Sequence, residues 1–179
     1  KALVDLGLYG AESYQRFIPS IYMESSIKDR QRLLMGLLDT DGNVCGKGAI
    51  EFSTSAPRLA EDVAYLARGL GALVTVAAPR VTFFTHKNEK KPGRPSWRMI
   101  IRFPNGFVPI SSDKHLAKWV PRPPHSGHKS ISIIEPIGSH ECVCIRVEAE
   151  DSLYVTKDFI VTHNSTLAMN IADHVACLQ

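Results

Sequence analysis

Two short stretches of the sequence combine residue types that could perform chemistry. The first is Leu-Met-Gly-Leu-Leu-Asp-Thr-Asp-Gly (residues 34–42), which places two carboxylates two residues apart and close to a glycine. The second is His163-Asn164-Ser165, in which an imidazole, an amide and a hydroxyl follow one another. The first pattern indicates a metal site, and the second indicates a rearrangement of the backbone itself.

The two carboxylates of the first stretch, Asp39 and Asp41, fall at the end of a helix predicted over residues 27–42. Apolar residues recur there at helical spacing, and Gly42 can take the left-handed conformation that ends helices. Asp41, just past the last turn, adds oxygen ligands to a helix end that already carries partial negative charge, which suits Mg²⁺. Gly36 has no side chain, so two such helices could pack backbone to backbone. An ordinary helix end followed by a turn is the competing interpretation.

The second stretch has the groups needed to break its own backbone. The side-chain amide of Asn164 can attack its own backbone carbonyl, which closes a succinimide and releases the amine of the next residue. His163 is suited to assist as a general acid or base at neutral pH. The hydroxyl of Ser165 is a nucleophile that can accept the upstream segment as an ester. A plain loop or helix cap is the alternative for these three residues.

Positive charge is concentrated in one part of the chain. Residues 79–129 contain eleven Lys and Arg against two acids, a net charge of +9, whereas the whole chain carries +3. This asymmetry favours a polyanionic partner over a merely solvated basic face.

Helices and strands alternate along the first two thirds of the chain, because the spacing of apolar residues changes repeatedly between helical and alternating. The polar segment 87–95 predicts the tip of a hairpin. Three prolines and a glycine predict a linker over residues 121–130, and short β-branched stretches predict a small all-β unit over residues 131–164. After the helix at 27–42, the predicted elements are a strand at 48–55, a helix at 56–72, strands at 72–86 and 96–103, and a short helix at 111–120 capped by Ser112.

The composition is that of an ordinary globular chain, with 44% hydrophobic and 22% charged residues. No run of about 18 apolar residues occurs, so the sequence predicts no membrane span. The four cysteines lack metal-binding spacing and predict buried, reduced thiols, which together with the lack of a signal peptide favours a cytoplasmic location. Lys1 rather than Met begins the sequence, which indicates that the chain lies inside a longer reading frame.

The stretch at 34–42 resembles the motif of the LAGLIDADG homing endonucleases, and the order of elements over residues 25–120 resembles one repeat of that family. The segments 13–23 and 58–72 are similar to those that flank the second motif of endonuclease-bearing inteins, with residues 1–24 as a lead-in. The resemblance implies an α+β fold in which a repeat of αββαββα order comes first.

The same resemblance implies Mg²⁺-dependent cleavage of double-stranded DNA, with Asp41 as the catalytic metal ligand. Gly36 and Asp39 would lie at the interface with another repeat. That repeat would come from the missing N-terminal part of the same precursor or from a second copy of the chain. The residues implied to bind DNA are Lys87, Lys90, Lys91, Arg94, Arg98 and Arg102.

Residues 147–164, followed by Ser165, resemble the C-terminal splicing blocks of inteins, which have the Hint fold. The resemblance implies that 131–164 supplies the C-terminal Hint strands, that His163 assists, that Asn164 cyclises and that Ser165 is the downstream nucleophile. Many inteins have an assisting histidine where this chain has Ser152, so Asp151, Ser152 or Asp158 is left as the assisting group. The N-terminal Hint half would be a further partner.

The last fifteen residues, 165–179, resemble the helix that follows the phosphate-binding loop of DnaB-type replicative helicases, a short helix of a RecA-like ATPase. The resemblance implies that Ser165 resumes the host protein and ligates Mg²⁺ beside ATP in the mature helicase. The mature host would be hexameric and, like the rest of the precursor, not membrane-bound. The competing hypothesis is a non-catalytic DNA-binding module of LAGLIDADG ancestry with an inactive splice terminus.

Overall fold

The computed structural model describes residues 1–46, 48–104, 106–121, 133–136, 138, 139, 141, 145, 147–156 and 159–163. The chain divides into two compact units, Lys1–Gly127 and His128–Gln179. No helix within the described ranges is long and apolar enough to cross a bilayer. The predictions for residues 122–130, Asp158, Asn164, Ser165 and the helix at 165–179 lie outside the described residues.

Helix α3 (Ile27–Asp41) carries the first candidate site. It begins at Ser26, whose hydroxyl oxygen accepts a hydrogen bond from the backbone N–H of Asp29 (3.2 Å) and thereby satisfies a free donor of the first turn. Leu34 and Leu38 form its fully buried stripe. The predicted helix is therefore confirmed.

Gly42 ends helix α3 as predicted, but the reason that glycine is needed there differs from the prediction. Gly42 has φ −86° and ψ 160°, which is extended backbone rather than the left-handed conformation. A Cβ at Gly42 would lie 3.1 Å from the Cα and carbonyl carbon of Leu38 and closer still to its carbonyl oxygen. Glycine is thus needed here because the chain passes directly over the last helical turn as it enters a strand.

Helix α4 (Pro57–Gly69) corresponds to the predicted second helix. Pro57 stands in its first turn, where the missing N–H has no partner within the helix. Leu59, Val63 and Leu66 are buried, and Gly71 beyond the end has φ 90°, the left-handed conformation that glycine allows.

Helices α3 and α4 pack on one face of an antiparallel sheet. On this covered face Phe52 opposes Met99 and Ile50 opposes Ile101, and all four are at most 1% exposed. The strands are β1 (Gly42–Val44), β2 (Ala49–Thr54), β3 (Leu73–Val76), β4 (Arg80–His86) and β5 (Glu89–Arg102). The strand order is β1-β2-β5-β3, with β4 paired to the first part of β5. The mixed α+β class is confirmed.

The hairpin between β4 and β5 is longer than predicted. Its turn is only two residues, Lys87 and Asn88, which have φ of 50° and 62°, and His86 pairs directly with Glu89. Two-residue turns with positive φ match the twist of antiparallel strands. The prediction of a tip over 87–95 is therefore wrong.

Residues 89–95 instead continue β5, including Pro92 and Pro95. Proline is tolerated there because β2 pairs only with residues 97–102 of β5, so no ladder bond to β2 is lost. The predicted strand at 72–86 is interrupted at residues 77–79, which separates β3 from β4.

The remaining elements of the first unit are short. In the lead-in segment, Ile18 is buried, and its backbone N–H donates to Asp62 Oδ2 on α4 (2.8 Å). The predicted helix at 111–120 is reduced to four residues, and the hydroxyl of Ser112 at its start makes no capping bond. Cys45 is a free thiol but is exposed, contrary to prediction. These elements are α1 (Ala2–Asp5), a 3-10 turn (Ser13–Gln15), α2 (Ser20–Met23) and α5 (Asp113–Leu116).

The second unit contains an antiparallel pair, β6 (Leu153–Val155) and β7 (Val161–His163). Leu153 is opposite His163, and Val155 is opposite Val161. The prediction of an all-β unit over residues 131–164 is therefore confirmed only for these two strands, because the described residues 133–136, 145 and 147–150 are not in strands.

Candidate metal and nucleic-acid site

The two aspartates of α3 have different surroundings. Asp39 turns toward the segment before α5, where its carboxylate accepts hydrogen bonds from the backbone N–H of Ser111 (3.0 Å to each oxygen), the Ser111 hydroxyl (2.6 Å) and the backbone N–H of Ser112 (3.1 Å). Its side chain is only 16% exposed. Asp39 therefore fastens the end of α3 to a segment 72 residues further along the chain.

These contacts set the charge state of Asp39. Burial opposes ionisation, but the hydrogen bond from the Ser111 hydroxyl and those from the Ser112 and Ser111 backbone outweigh it and lower the pKa of Asp39 below its ordinary value of 3.8. The Nδ1 atom of buried His115 lies 3.6 Å from Asp39 Oδ1, beyond hydrogen-bond distance. His115 therefore lowers the pKa of Asp39 less than the serines do. Asp39 is an anchored, ionised group.

Asp41, by contrast, is exposed, and no group within the described residues donates a hydrogen bond or forms an ion pair with its carboxylate. The described part of the chain contains no cluster of three or more His, Cys, Asp or Glu residues that could enclose a metal ion. Mg²⁺ is commonly held by one or two carboxylates with waters and phosphate oxygens completing its shell, so one exposed aspartate fits half of such a site.

Gly36 lies on the exposed side of α3, and a Cβ built on it would have nothing within 4 Å. One turn later, Thr40 directs its hydroxyl back along the helix, where it donates to the carbonyl oxygens of Gly36 (3.0 Å) and Leu37 (3.1 Å). The position of Gly36 on α3 is therefore open to a second helix within the described structure.

The face of the sheet opposite the helices, called here the open face, carries the predicted arginines. Arg98 is opposite Ser53 and Arg102 is opposite Ala49, while the intervening Met99 and Ile101 face the core. Both guanidinium groups therefore lie on the same face. Glu51 of β2 shares this face, and its carboxylate pairs with Arg98 (Nη1 to Oε2, 3.5 Å).

The other predicted DNA-binding residues lie on the hairpin. Lys87 is in the two-residue turn. The Nζ atom of Lys90 lies 5.1 Å from the ring centroid of Phe83, and Lys91 Nζ pairs with Glu89 at 3.6 Å. Arg94 is engaged by the protein itself, because its guanidinium carbon lies 3.6 Å from the ring centroid of Tyr14.

In the second unit, antiparallel pairing brings the start of β6 beside the end of β7. Asp151 and Ser152 immediately precede Leu153, whose backbone is paired with that of His163. Asp151 Oδ1 accepts a hydrogen bond from the Leu153 backbone N–H (3.0 Å), and Ser152 has φ 55°. Asp158, Asn164 and Ser165 lie outside the described residues.

The chain is similar in sequence to a known replicative helicase. Over 166 aligned residues it is 31% identical to the replicative DNA helicase DnaB of Mycobacterium intracellulare. The alignment covers 87% of this chain but 27% of the relative, so the chain spans about a quarter of that protein. No protein-family model matches the chain. The similarity supports the predicted link to a DnaB-type replicative helicase.

Three residues at the site were not predicted from the sequence. Glu51 could have been found, because the alternation that buries Ile50 and Phe52 places it on the open face. The exposure of Phe83 and Phe84 could not, since two adjacent phenylalanines in a strand ordinarily predict at least one buried ring. Their place outside the core depends on how far the β4–β5 hairpin extends beyond the sheet.

Proposed function

We propose that this chain is the C-terminal part of an intein that contains a LAGLIDADG homing endonuclease repeat and interrupts the nucleotide site of a DnaB-type replicative helicase. The observation that carries the proposal is the junction of α3 with the sheet. Asp41 is exposed at the last residue of α3, and the next residue begins β1 at the edge of a sheet whose open face bears Arg98 and Arg102. An exposed carboxylate at the end of α3 and a sheet face that carries two arginines together support a site for Mg²⁺ and DNA.

In the nuclease, Asp41 would hold Mg²⁺, which when bound supplies a water activated for attack on a phosphodiester. Arg98 and Arg102 would bind phosphate oxygens or base edges of double-stranded DNA. Asp39 would keep the end of α3 in position through Ser111 and Ser112. This arrangement gives each of the two aspartates a separate task.

The described residues supply one such metal-binding candidate, Asp41 at the end of α3. Cleavage of both DNA strands therefore needs a second repeat. The open side of α3 around Gly36 suits a second helix at close distance, because nothing within 4 Å occupies the position of a Cβ. The N-terminal part of the same precursor would provide that helix, and a second copy of the chain is the other source.

The splicing step would occur at the end of β7. The side-chain nitrogen of Asn164 attacks its own carbonyl carbon, the bond to the nitrogen of Ser165 breaks, and that nitrogen leaves as an amine after His163 donates a proton. The hydroxyl of Ser165 would previously have accepted the upstream segment as an ester. The β6–β7 pairing supports this proposal because the segment that contains Asp151 and Ser152 leads directly into Leu153, the residue opposite His163.

The host assignment rests on the match to a protein named a replicative DNA helicase, together with the resemblance of residues 165–179 to the helix after a phosphate-binding loop. In the spliced host, Ser165 would ligate Mg²⁺ beside ATP, and the host would act as a hexamer. The insert would be removed before that site forms.

A nicking assay on the protein from the complete reading frame tests the nuclease. Supercoiled DNA carrying the target is incubated with Mg²⁺ or with EDTA, and we expect cleavage only with Mg²⁺. Asp41→Asn should abolish cleavage while leaving binding intact. Glu61→Gln, which removes an exposed carboxylate from α4, is the matched control and should cleave normally. Binding without cleavage by the wild-type protein would instead favour a non-catalytic DNA-binding module.

A further inference from the structure

The β4–β5 hairpin extends beyond the sheet as a two-stranded arm, defined here as residues 80–96. Within the described chain, β2 pairs only with residues 97–102 of β5 and β3 only with residues 99–102. Nearly all of its side chains are exposed, including those on both faces of β4, and Arg94 contacts the ring of Tyr14.

Each face of the arm carries an exposed phenyl ring. Phe83 and Phe84 are consecutive in β4, so their side chains point to opposite faces. They are 59% and 53% exposed, respectively. A flat partner could cover one ring but would leave the other in water, whereas a groove that encloses the arm would cover both.

The charge of the arm indicates the chemical character of a groove that would accept it. The arm contains five Lys and Arg and one acid. The Nζ atom of Lys90 lies over the ring of Phe83, and Lys91 is directly opposite Phe84 in the register. Each ring therefore shares its face with a cation, a combination that suits a groove with anionic walls and apolar groups inside.

The major groove of B-form DNA has these properties. It is about 12 Å wide and admits a two-stranded ribbon, and phosphates line both of its walls. The apolar group that it presents is the C5-methyl of thymine, which makes contacts with apolar side chains such as Phe.

We propose that Phe83 and Phe84 are specificity-determining residues that recognise thymine C5-methyl groups in the major groove, one from each face of the arm. The inference rests on the proposed DNA-binding function and deepens it by naming the base that the arm selects. The lysines beside the rings bind the phosphates that flank those thymines.

The test removes the methyl groups from the DNA. Full-length protein from the complete reading frame, carrying Asp41→Asn to prevent cleavage of the probe, is used to select duplexes from a random pool. The dissociation constant of a selected duplex is then measured by fluorescence anisotropy with thymidine and with deoxyuridine at each thymine position in turn. We expect affinity to fall about fourfold for each contacted methyl group that is removed.

Protein variants locate the effect on the arm. Phe83→Ala and Phe84→Ala should each lose the discrimination between thymidine and deoxyuridine at the positions contacted by that ring. Ile21→Ala, which truncates an apolar side chain of similar exposure (67%) outside the arm, should keep it.

The outcomes separate this inference from the function on which it rests. Failure to select any duplex would overturn both. Tight binding that is the same with thymidine and deoxyuridine at every position would overturn the role of the rings and leave DNA binding intact. Binding to vesicles of anionic phospholipid that is lost in both alanine variants, with no thymidine preference, would overturn the inference in favour of a membrane surface.

Discussion

The carboxylates of Asp39 and Asp41 leave α3 in different directions, because residues two apart in a helix are separated by about 200° around its axis. Asp39 meets donors from Ser111 and Ser112, and Asp41 meets solvent. At this scale the structure distinguishes a group that stabilises the fold from a group available to a metal ion.

The first prediction separates these roles by stability. Asp39→Asn should lower the free energy of unfolding by about 1–3 kcal/mol, since the amide has one acceptor oxygen instead of two and lacks the negative charge that strengthens the hydrogen bonds from Ser111 and Ser112. Asp41→Asn should change it by less than about 0.5 kcal/mol because the group is exposed and unbonded within the described structure. Urea unfolding followed by circular dichroism measures both. Equal losses in the two variants would contradict the assignment.

The second prediction concerns pH. A carboxyl group whose pKa is lower in the folded chain than in the unfolded chain adds stability above the unfolded pKa, and this stability is lost as the pH falls through the folded pKa. For Asp39 the loss should begin near its ordinary pKa of 3.8 and continue below it. The stability difference between the wild type and Asp39→Asn should therefore be full at neutral pH and shrink in acid. Unfolding in EDTA across that range tests it, and a constant difference would be inconsistent with it.

At the scale of elements, two glycines of the same motif have opposite requirements. Gly42 lies where the chain turns over Leu38, and a Cβ there would meet backbone atoms. Gly36 faces open space in the middle of the helix. At Gly42 the close contact is with Leu38 of the same chain, whereas the space beside Gly36 is available to another helix.

The third prediction follows from this contrast. Gly42→Ala should lower the free energy of unfolding by about 1–3 kcal/mol, since the added methyl group has no room beside Leu38. Gly36→Ala should raise it by roughly 0.5–1 kcal/mol, since alanine favours the helix over glycine. Thermal unfolding of the two variants gives the comparison.

The same Gly36→Ala variant also tests the proposed pairing of helices. If a second helix packs against Gly36, the methyl group should reduce DNA cleavage although the isolated chain becomes more stable. Cleavage at the wild-type rate would show that α3 does not pair through this position.

At the scale of the whole molecule, the two units of the chain would serve two different reactions, DNA cleavage in the first and splicing in the second. Their candidate residues are separate: Asp41 and the open face lie in the unit Lys1–Gly127, while His163 and the β6–β7 pair lie in His128–Gln179. A substitution that abolishes one reaction should therefore leave the other unchanged.

The fourth prediction is an intact-mass experiment on the product of the complete reading frame. The wild type should give a ligated host protein and a free insert that ends in a cyclised Asn164. Asn164→Ala should keep the bond between residues 164 and 165, because no side-chain amide is available to attack the carbonyl. Asp41→Asn should splice normally. A single unspliced mass from the wild type would mean that the terminus is inactive.

The sequence by itself determined the span of α3, the buried faces of both long helices and the alternation that puts Arg98 and Arg102 on one side of β5. These features depend on residues within a few positions of one another, where periodicity acts directly. The sequence places Asp41 just past the last turn, whereas in the structure it is the last residue of α3.

Only the tertiary structure decided what each group meets. Asp39 finds its donors at Ser111 and Ser112, more than 70 residues away, and no local pattern encodes that contact. The length of the arm, and with it the exposure of Phe83 and Phe84, depends on where β2 and β3 stop pairing with β5. Such contacts form between distant segments of the chain, so they are set by the packing of the whole unit rather than by the residues beside them.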